Sequence, residues 1–329
     1  MGSRICVIGG GSWGTTIAAL VAQSTDTVLW VRRDELAIEI NEHQTNAAYL
    51  GDHKLPDTLR ATSELSAAVS GADVIAMAVP AHGMREVISE VARFVRRDVP
   101  VMSLAKGLER HTLRRMSEVI SEVVKHNPVA VLTGPNLARE ILNGQPAASV
   151  VACADVEIAQ MLQVQFTRPT FRLYTNSDVI GCEVGGVVKN VIAIAAGIVQ
   201  GFGFGENTRA TLLTRGLAEM SRLGVALGAN ALTFAGLAGM GDVIATCAST
   251  QSRNTTVGIR LGRGETITDI MSSMTMVAEG VTSASSVLEL ARRHGVEMPI
   301  VQQVSAVCEG QVSAADALRA LMGRTSKSE

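Results

Sequence analysis

Lys189 stands in an otherwise uncharged run, residues 184–197, made of valine, isoleucine, alanine, glycine and one asparagine. An ammonium in an apolar helix is costly unless it is paired or put to chemical use, which makes Lys189 a candidate acid/base residue. A helical side chain covers the turn before it, so Lys189 projects over Gly185 and Gly186, and the missing side chains there predict a notch for a small substrate. Asn190 adds a polar group beside it. The competing explanation is a lysine whose stem lies on apolar neighbours while its head reaches water.

A second constellation opens the chain. Gly9-Gly10-Gly11-Ser12-Trp13-Gly14 follows a short β-branched run and begins a helical pattern, the setting in which G-x-G-x-x-G binds a dinucleotide. Gly9 permits the tight turn, Gly11 lets the backbone approach a pyrophosphate, and Gly14 lets helix and strand pack closely. Ser12 and Trp13 supply amides at the helix N-terminus, where an anion is favoured. A glycine-rich turn of purely structural use is the alternative. Where NAD-specific sites carry an acid after the second strand, this chain has Arg32 and Arg33. Two guanidiniums suit a 2'-phosphate, so NADPH is expected ahead of NADH. Asp34 and Glu35 follow at once, and the bland account of the four charges is a solvated helix start.

Three further segments join a polar group to turn chemistry: Lys106-Gly107 after one strand, Gly134-Pro135-Asn136-Leu137-Ala138 after the next, and Ala238-Gly239-Met240-Gly241-Asp242 before an apolar turn. The first two fall at carboxyl ends of strands, where open parallel sheets bind ligands. Ser252-Arg253-Asn254 has the form of a helix start, and a guanidinium fork with free amides there matches the oxygens of a phosphate.

These residues need elements to hold them. Short β-branched runs at 5–9, 27–31, 74–79, 99–104 and 130–133 alternate with amphipathic segments at 12–22, 82–93 and 113–124. That alternation predicts a parallel sheet covered by helices on both faces. Strands at 148–152 and 171–175 extend it. From about residue 178 the pattern changes to long alanine- and leucine-rich helices. The expected architecture is therefore α/β: a Rossmann-like dinucleotide-binding domain over 1–180, then an all-helical substrate-binding and catalytic domain over 181–329. The polar tail 323–329 reads as disordered.

With 329 residues, 47% hydrophobic and 18% charged, the chain can bury two ordinary cores. A net charge of -2 argues against nucleic acid or an anionic membrane as the main partner. Cys6, Cys153, Cys182, Cys247 and Cys308 show no metal or disulfide spacing, so a reducing cytoplasm is expected. Arg4-Ile5-Cys6-Val7-Ile8 reads as a strand and not as a secretory signal. Glu183, Lys189, Asn190 and Gln200 break the apolar stretch around Lys189 short of a membrane span of about 20 residues, so a helix buried in protein is expected.

Taken in order, the segments resemble the NAD(P)-dependent glycerol-3-phosphate dehydrogenases, in their bacterial form, over nearly the whole chain. The likeness rests on residues 9–14, Ala105-Lys106-Gly107, Thr133-Gly134-Pro135-Asn136, residues 183–190, Ala238 to Asp242, Ser252-Arg253-Asn254 and Ala278-Glu279-Gly280. It implies that Lys189 is the acid/base residue and that Lys106 touches both cofactor and substrate. Gly134, Asp242, Ser252, Arg253 and Asn254 would line the substrate site. Ser12, Trp13, Arg32, Arg33, Ala138, Arg253, Val277 and Glu279 would contact NADPH or NADH. Asn136 stands where bacterial relatives usually carry Ser or Thr, and an amide can still donate and accept there.

The implied reaction is reversible reduction of dihydroxyacetone phosphate to sn-glycerol 3-phosphate for glycerophospholipid synthesis, by a cytoplasmic enzyme without an integral membrane segment; the resemblance also implies a homodimer. Lys189 would protonate the developing alkoxide, Lys106 would add positive charge near the carbonyl, and Asp242 would orient Lys189. Two alternatives remain at this point: a related dehydrogenase acting on a β-hydroxy acid or a sugar-acid phosphate, and a nicotinamide-binding sensor without turnover.

Overall fold

The computed structural model describes residues 3–274 and 278–325. The chain divides into two compact units, Met1–Val179 and Ile180–Glu329.

The first unit is built on an eight-stranded sheet: β1 (Arg4–Ile8), β2 (Asp26–Trp30), β3 (Arg60–Thr62), β4 (Val74–Met77), β5 (Val101–Ser103), β6 (Val129–Thr133), β7 (Ala147–Ala152) and β8 (Phe171–Asn176). Their order across the sheet is β3-β2-β1-β4-β5-β6-β7-β8. Alternate residues of β1 serve opposite faces. Ile5 and Val7 pack with Leu29, Val74 and Ala76, while Cys6 and Ile8 pack with Ile75, Met77 and Val101. A strand buried on both faces needs such a continuous apolar run, and each fully buried Ile, Leu or Val contributes about 1.5–3 kcal/mol. The helix Ser12–Ala22 covers one face, and Met84–Val91 and Met116–Val123 cover the other.

Two points depart from the sequence-based expectation. Arg60–Thr62 forms an edge strand beside β2 that three residues, only one of them apolar, do not announce. The sheet is also not wholly parallel, because β7 runs antiparallel to β6, with Thr133 opposite Val150. The link between them, residues 134–146, includes the five-residue helix Ala138–Leu142.

The second unit is all helical from Val179–Gly201 onward, with Glu206–Ala226, Asp242–Ala248, Arg253–Gly262, Glu279–Arg293, Pro299–Cys308 and Ala314–Met322 as its main helices. The first of these spans 23 residues, long and apolar enough to cross a membrane. The polar residues do not cut it short, contrary to expectation. What identifies it as a core helix is burial, since 89% of its most apolar window lies inside the protein. Helix Arg253–Gly262 crosses it at close range: a Cβ on Gly197 would lie 2.2 Å from the Thr255 carbonyl oxygen, and one on Gly258 2.1 Å from that of Ile194. The chain is thus a Rossmann-like α/β unit followed by an all-helical one.

Candidate active site

In the first unit the chain order reverses at β1, which has β2 on one side and β4 on the other, and the glycine loop leaves its carboxyl end at this switch point. Gly9 has φ +118°, a conformation side chains rarely adopt, and a Cβ there would meet the Ala78 carbonyl oxygen at 2.7 Å. A Cβ on Gly14 would lie 2.0 Å from the Gly9 carbonyl oxygen, so this glycine lets the helix pack onto the strand. Gly11 differs from both: nothing lies within 4 Å of where its Cβ would be. Open space beside a helix N-terminus, with Ser12 and Trp13 as the first helical residues, fits a pyrophosphate. The Trp13 ring meets Phe171 edge-on at 6.3 Å. The residues present therefore fit a dinucleotide.

Sequence reasoning missed the residue that braces this loop. Asn46, fully buried, donates from Nδ2 to the Gly10 carbonyl at 2.9 Å and to Thr15 Oγ1 at 2.8 Å. No local pattern marks it, since it lies 36 residues beyond Gly10. Arg32 and Arg33 are exposed just past β2, with Arg33 capping the short helix Asp34–Ile38.

Farther along the same edge of the sheet, Lys106 Nζ donates to the Gly134 carbonyl at 2.9 Å. Gly134 itself has φ +133°, and a Cβ there would come within 3.1 Å of Ser149 Cα. Two residues on, Asn136 Oδ1 accepts a hydrogen bond from Ser149 Oγ. Ala138 opens the next helix. Ser149, like Asn46, carried no signal in the sequence.

In the second unit, Lys189 is 8% exposed and Asp242 1%. Lys189 Nζ lies 3.3 Å from Asp242 Oδ1 and donates to Thr246 Oγ1 at 2.9 Å; the threonine in turn donates to Asp242 Oδ1 at 3.1 Å. Thr246 lies one helical turn beyond Asp242, so one helix face presents both groups to the ammonium. That four-residue spacing is the one signal in the sequence that points to Thr246. The lysine does not reach for solvent; its charge is met by a carboxylate and a hydroxyl. Removing one partner of such a buried pair costs about 3–5 kcal/mol. Neighbouring Cys247 stays protonated, because burial pushes its thiol up to about 12.

The expected notch is corrected at Gly185. A Cβ on Gly185 would lie 2.3 Å from the Ala238 carbonyl oxygen, so protein backbone already fills that space. The glycine serves to bring Leu237–Gly241 against the long helix, and this approach carries Asp242 to Lys189.

Ser252 caps Arg253–Gly262, accepting from the Thr255 amide at 3.2 Å, so that amide is engaged and not free. Arg253 is exposed at the first helical position. Asn254 is buried: its Nδ2 donates to Asn190 Oδ1 at 2.9 Å and its Oδ1 accepts from the Gly280 amide at 2.9 Å. It ties the residue after Lys189 to the start of Glu279–Arg293, whose first residue is the expected nucleotide contact Glu279. Val277 lies outside the described residues, as do residues 326–329 of the tail.

A glycine-fingerprint sheet followed by an all-helical unit with a buried lysine defines a nicotinamide-dependent dehydrogenase. Residues 4–159 match the model of the NAD-dependent glycerol-3-phosphate dehydrogenase N-terminus, and residues 178–319 that of its C-terminus. The chain belongs to the NAD-dependent glycerol-3-phosphate dehydrogenase family. It is 52% identical to a glycerol-3-phosphate dehydrogenase [NAD(P)+] of Sphingopyxis alaskensis over 97% of this chain and 96% of that one. Identity is also 52% to that of Corynebacterium diphtheriae, over 99% and 100%. Among solved structures, glycerol-3-phosphate dehydrogenase from Coxiella burnetii superposes with a TM-score of 0.94 at 34% identity, covering 98% of this chain and 99% of that one.

Proposed function

We propose that the protein catalyses the reversible reduction of dihydroxyacetone phosphate to sn-glycerol 3-phosphate with NADPH or NADH. The observation that carries this reading is the buried Lys189, held by Thr246 and Asp242 within the part of the chain that matches the family's C-terminal model. When bound, the nicotinamide supplies a hydride to the ketone carbon. Lys189 then stabilises and protonates the oxygen that becomes negative, and Asp242 fixes the ammonium through its ion pair and through Thr246. In the oxidative direction a neutral Lys189 takes the proton from the substrate hydroxyl, so oxidation gains as pH rises.

Within the first unit, the amides of Ser12 and Trp13 serve the pyrophosphate, Arg32 and Arg33 favour NADPH through its 2'-phosphate, and Ala138 takes a nucleotide contact. Lys106, Gly134 and Asn136 bind substrate, Lys106 touching cofactor as well. Within the second, Ser252, Arg253 and Asn254 hold the phosphate of the substrate, and Arg253 and Glu279, with Val277, contact the nucleotide. The family resemblance also supports a cytoplasmic homodimer that feeds glycerophospholipid synthesis.

The test is NADPH oxidation in the presence of dihydroxyacetone phosphate. Lys189→Ala should lower kcat by about 10²–10⁴-fold, the span of a lost general acid, while NADPH titration by fluorescence stays near wild type. Lys189→Arg keeps the charge beside Asp242 and should be equally slow. Turnover with a keto acid or a sugar acid but not with dihydroxyacetone phosphate would overturn the substrate assignment.

A further inference from the structure

Within four residues of the carboxyl end of β6, two buried polar atoms have no hydrogen-bond partner among the described residues: Thr133 Oγ1 and Asn136 Nδ2. Orphaned buried polar atoms are uncommon, and a pair of them at a strand end that binds ligands calls for an acceptor from outside the protein. The carboxamide of Asn136 is not loose. Its Oδ1 accepts from Ser149 Oγ, and Ser149 is 0% exposed on β7. The antiparallel pairing explains why that serine is available: with Thr133 opposite Val150, the next step along the ladder brings Ser149 beside Gly134. Gly134 has no side chain to obstruct it, since a Cβ there would meet Ser149 Oγ at 3.2 Å, and the Gly134 carbonyl meanwhile holds Lys106.

We propose that Ser149 is a positioning residue for the dehydrogenase reaction: by holding Oδ1 of Asn136 it leaves Nδ2 as a fixed donor for an oxygen of the phosphorylated three-carbon substrate. This rests on the placement of Asn136 at the substrate. A hydroxyl in that position turns freely and can either donate or accept, whereas an amide anchored by its oxygen can only donate. The pair therefore selects an acceptor oxygen, and ordering the donor before the substrate arrives lowers the entropy that binding must remove.

The experiment measures KM for dihydroxyacetone phosphate and kcat at saturating NADPH for Ser149→Ala, Ser149→Thr, Asn136→Ala, Asn136→Asp and the Ser149→Ala/Asn136→Ala double variant, with melting curves for each. Asn136→Ala should raise KM about tenfold, the size of one lost hydrogen bond to a bound ligand. Ser149→Ala should raise it several-fold with kcat and the KM for NADPH little changed, and Ser149→Thr, which retains the hydroxyl, should restore it. Asn136→Asp keeps the acceptor for Ser149 but loses the donor, and should be at least as weak as Asn136→Ala. In the double variant the serine change should add nothing, because it acts through an amide no longer there. A raised KM in Asn136→Ala beside a silent Ser149→Ala, or beside two effects that multiply, overturns the role of Ser149 alone. An unchanged KM in both Asn136 variants overturns the placement of Asn136 at the substrate, and the proposal with it.

Discussion

Gly11 and Gly185 are both glycines at the heart of a candidate site, one in each unit, and they do opposite things. The space beside Gly11 is open, with nothing within 4 Å of its missing Cβ, whereas that beside Gly185 is filled by the Ala238 carbonyl at 2.3 Å. The first glycine leaves room for a ligand; the second leaves room for the protein to bring a carboxylate to a lysine. A missing side chain is therefore ambiguous until its surroundings are known. The chemistry differs in the same way. The mouth of the sheet offers backbone amides that one loop and one helix turn supply together, while the helical unit offers side chains, with Lys189 and Thr246 separated by 57 residues.

The most direct way to break this comparison is to make the same substitution twice. Gly185→Ala should destabilise the protein by about 1–3 kcal/mol through overpacking, less the roughly 1 kcal/mol that Ala gains over Gly in a helix. Because Ala238 must retreat and carry Asp242 with it, kcat should fall sharply even in the folded fraction. Gly11→Ala should leave the unfolding free energy within about 0.5 kcal/mol of wild type, as for a surface change, and should appear only as a raised KM for cofactor. Calorimetry beside steady-state kinetics reads both; equal loss of stability in the two variants would remove the distinction.

A smaller effect sharpens the reading of the sheet mouth. Arg32→Ala with Arg33→Ala should weaken NADPH by about tenfold or more, given about 1.5–3 kcal/mol for hydrogen bonds to a charged group, and NADH much less. Equal weakening in fluorescence titrations would mean that the two arginines do not distinguish the cofactors.

The smallest concerns another buried carboxylate of the helical unit. Glu219, 3% exposed, accepts the amides of Ile300 at 2.8 Å and Val301 at 3.2 Å at the start of Pro299–Cys308. Burial pushes it up to about 7 despite those amides and the more distant Arg222 and Arg324. A carboxyl raised in the folded state binds its proton more tightly there than in the unfolded chain. Its stabilising contribution is therefore present at low pH and is lost as pH climbs from the ordinary 4.5 through about 7. The melting temperature should fall by a few degrees between those limits, and Glu219→Gln should flatten that decline. An equally steep fall in the variant would assign the pH dependence to other groups.

Much of this was legible in the sequence, and the pattern of successes and misses is physical. The strands of the first unit and the Ser12–Ala22 helix follow from local periodicity, because each buries its apolar residues at the spacing its own geometry sets. The three-residue β3 and the antiparallel turn of β7 do not, because strand pairing is decided by neighbours far along the chain. Lys189, Asp242 and Ser252 could be picked out by residue type. Asn46 and Ser149 could not: their bonds run to the glycine loop and to Asn136, and an ordinary Asn or Ser announces no partner.

The sequence by itself determined the glycine loop, the apolar strand it follows and the lysine that had to be compensated, since each of these is a local demand of sterics or of charge in an apolar run. Only the tertiary structure decided that Gly185 is a seat for backbone and not for substrate, that Thr246 joins Asp242 at Lys189, and that Ser149 reaches Asn136. Those outcomes depend on which surfaces meet, and close packing allows a single occupant for each space.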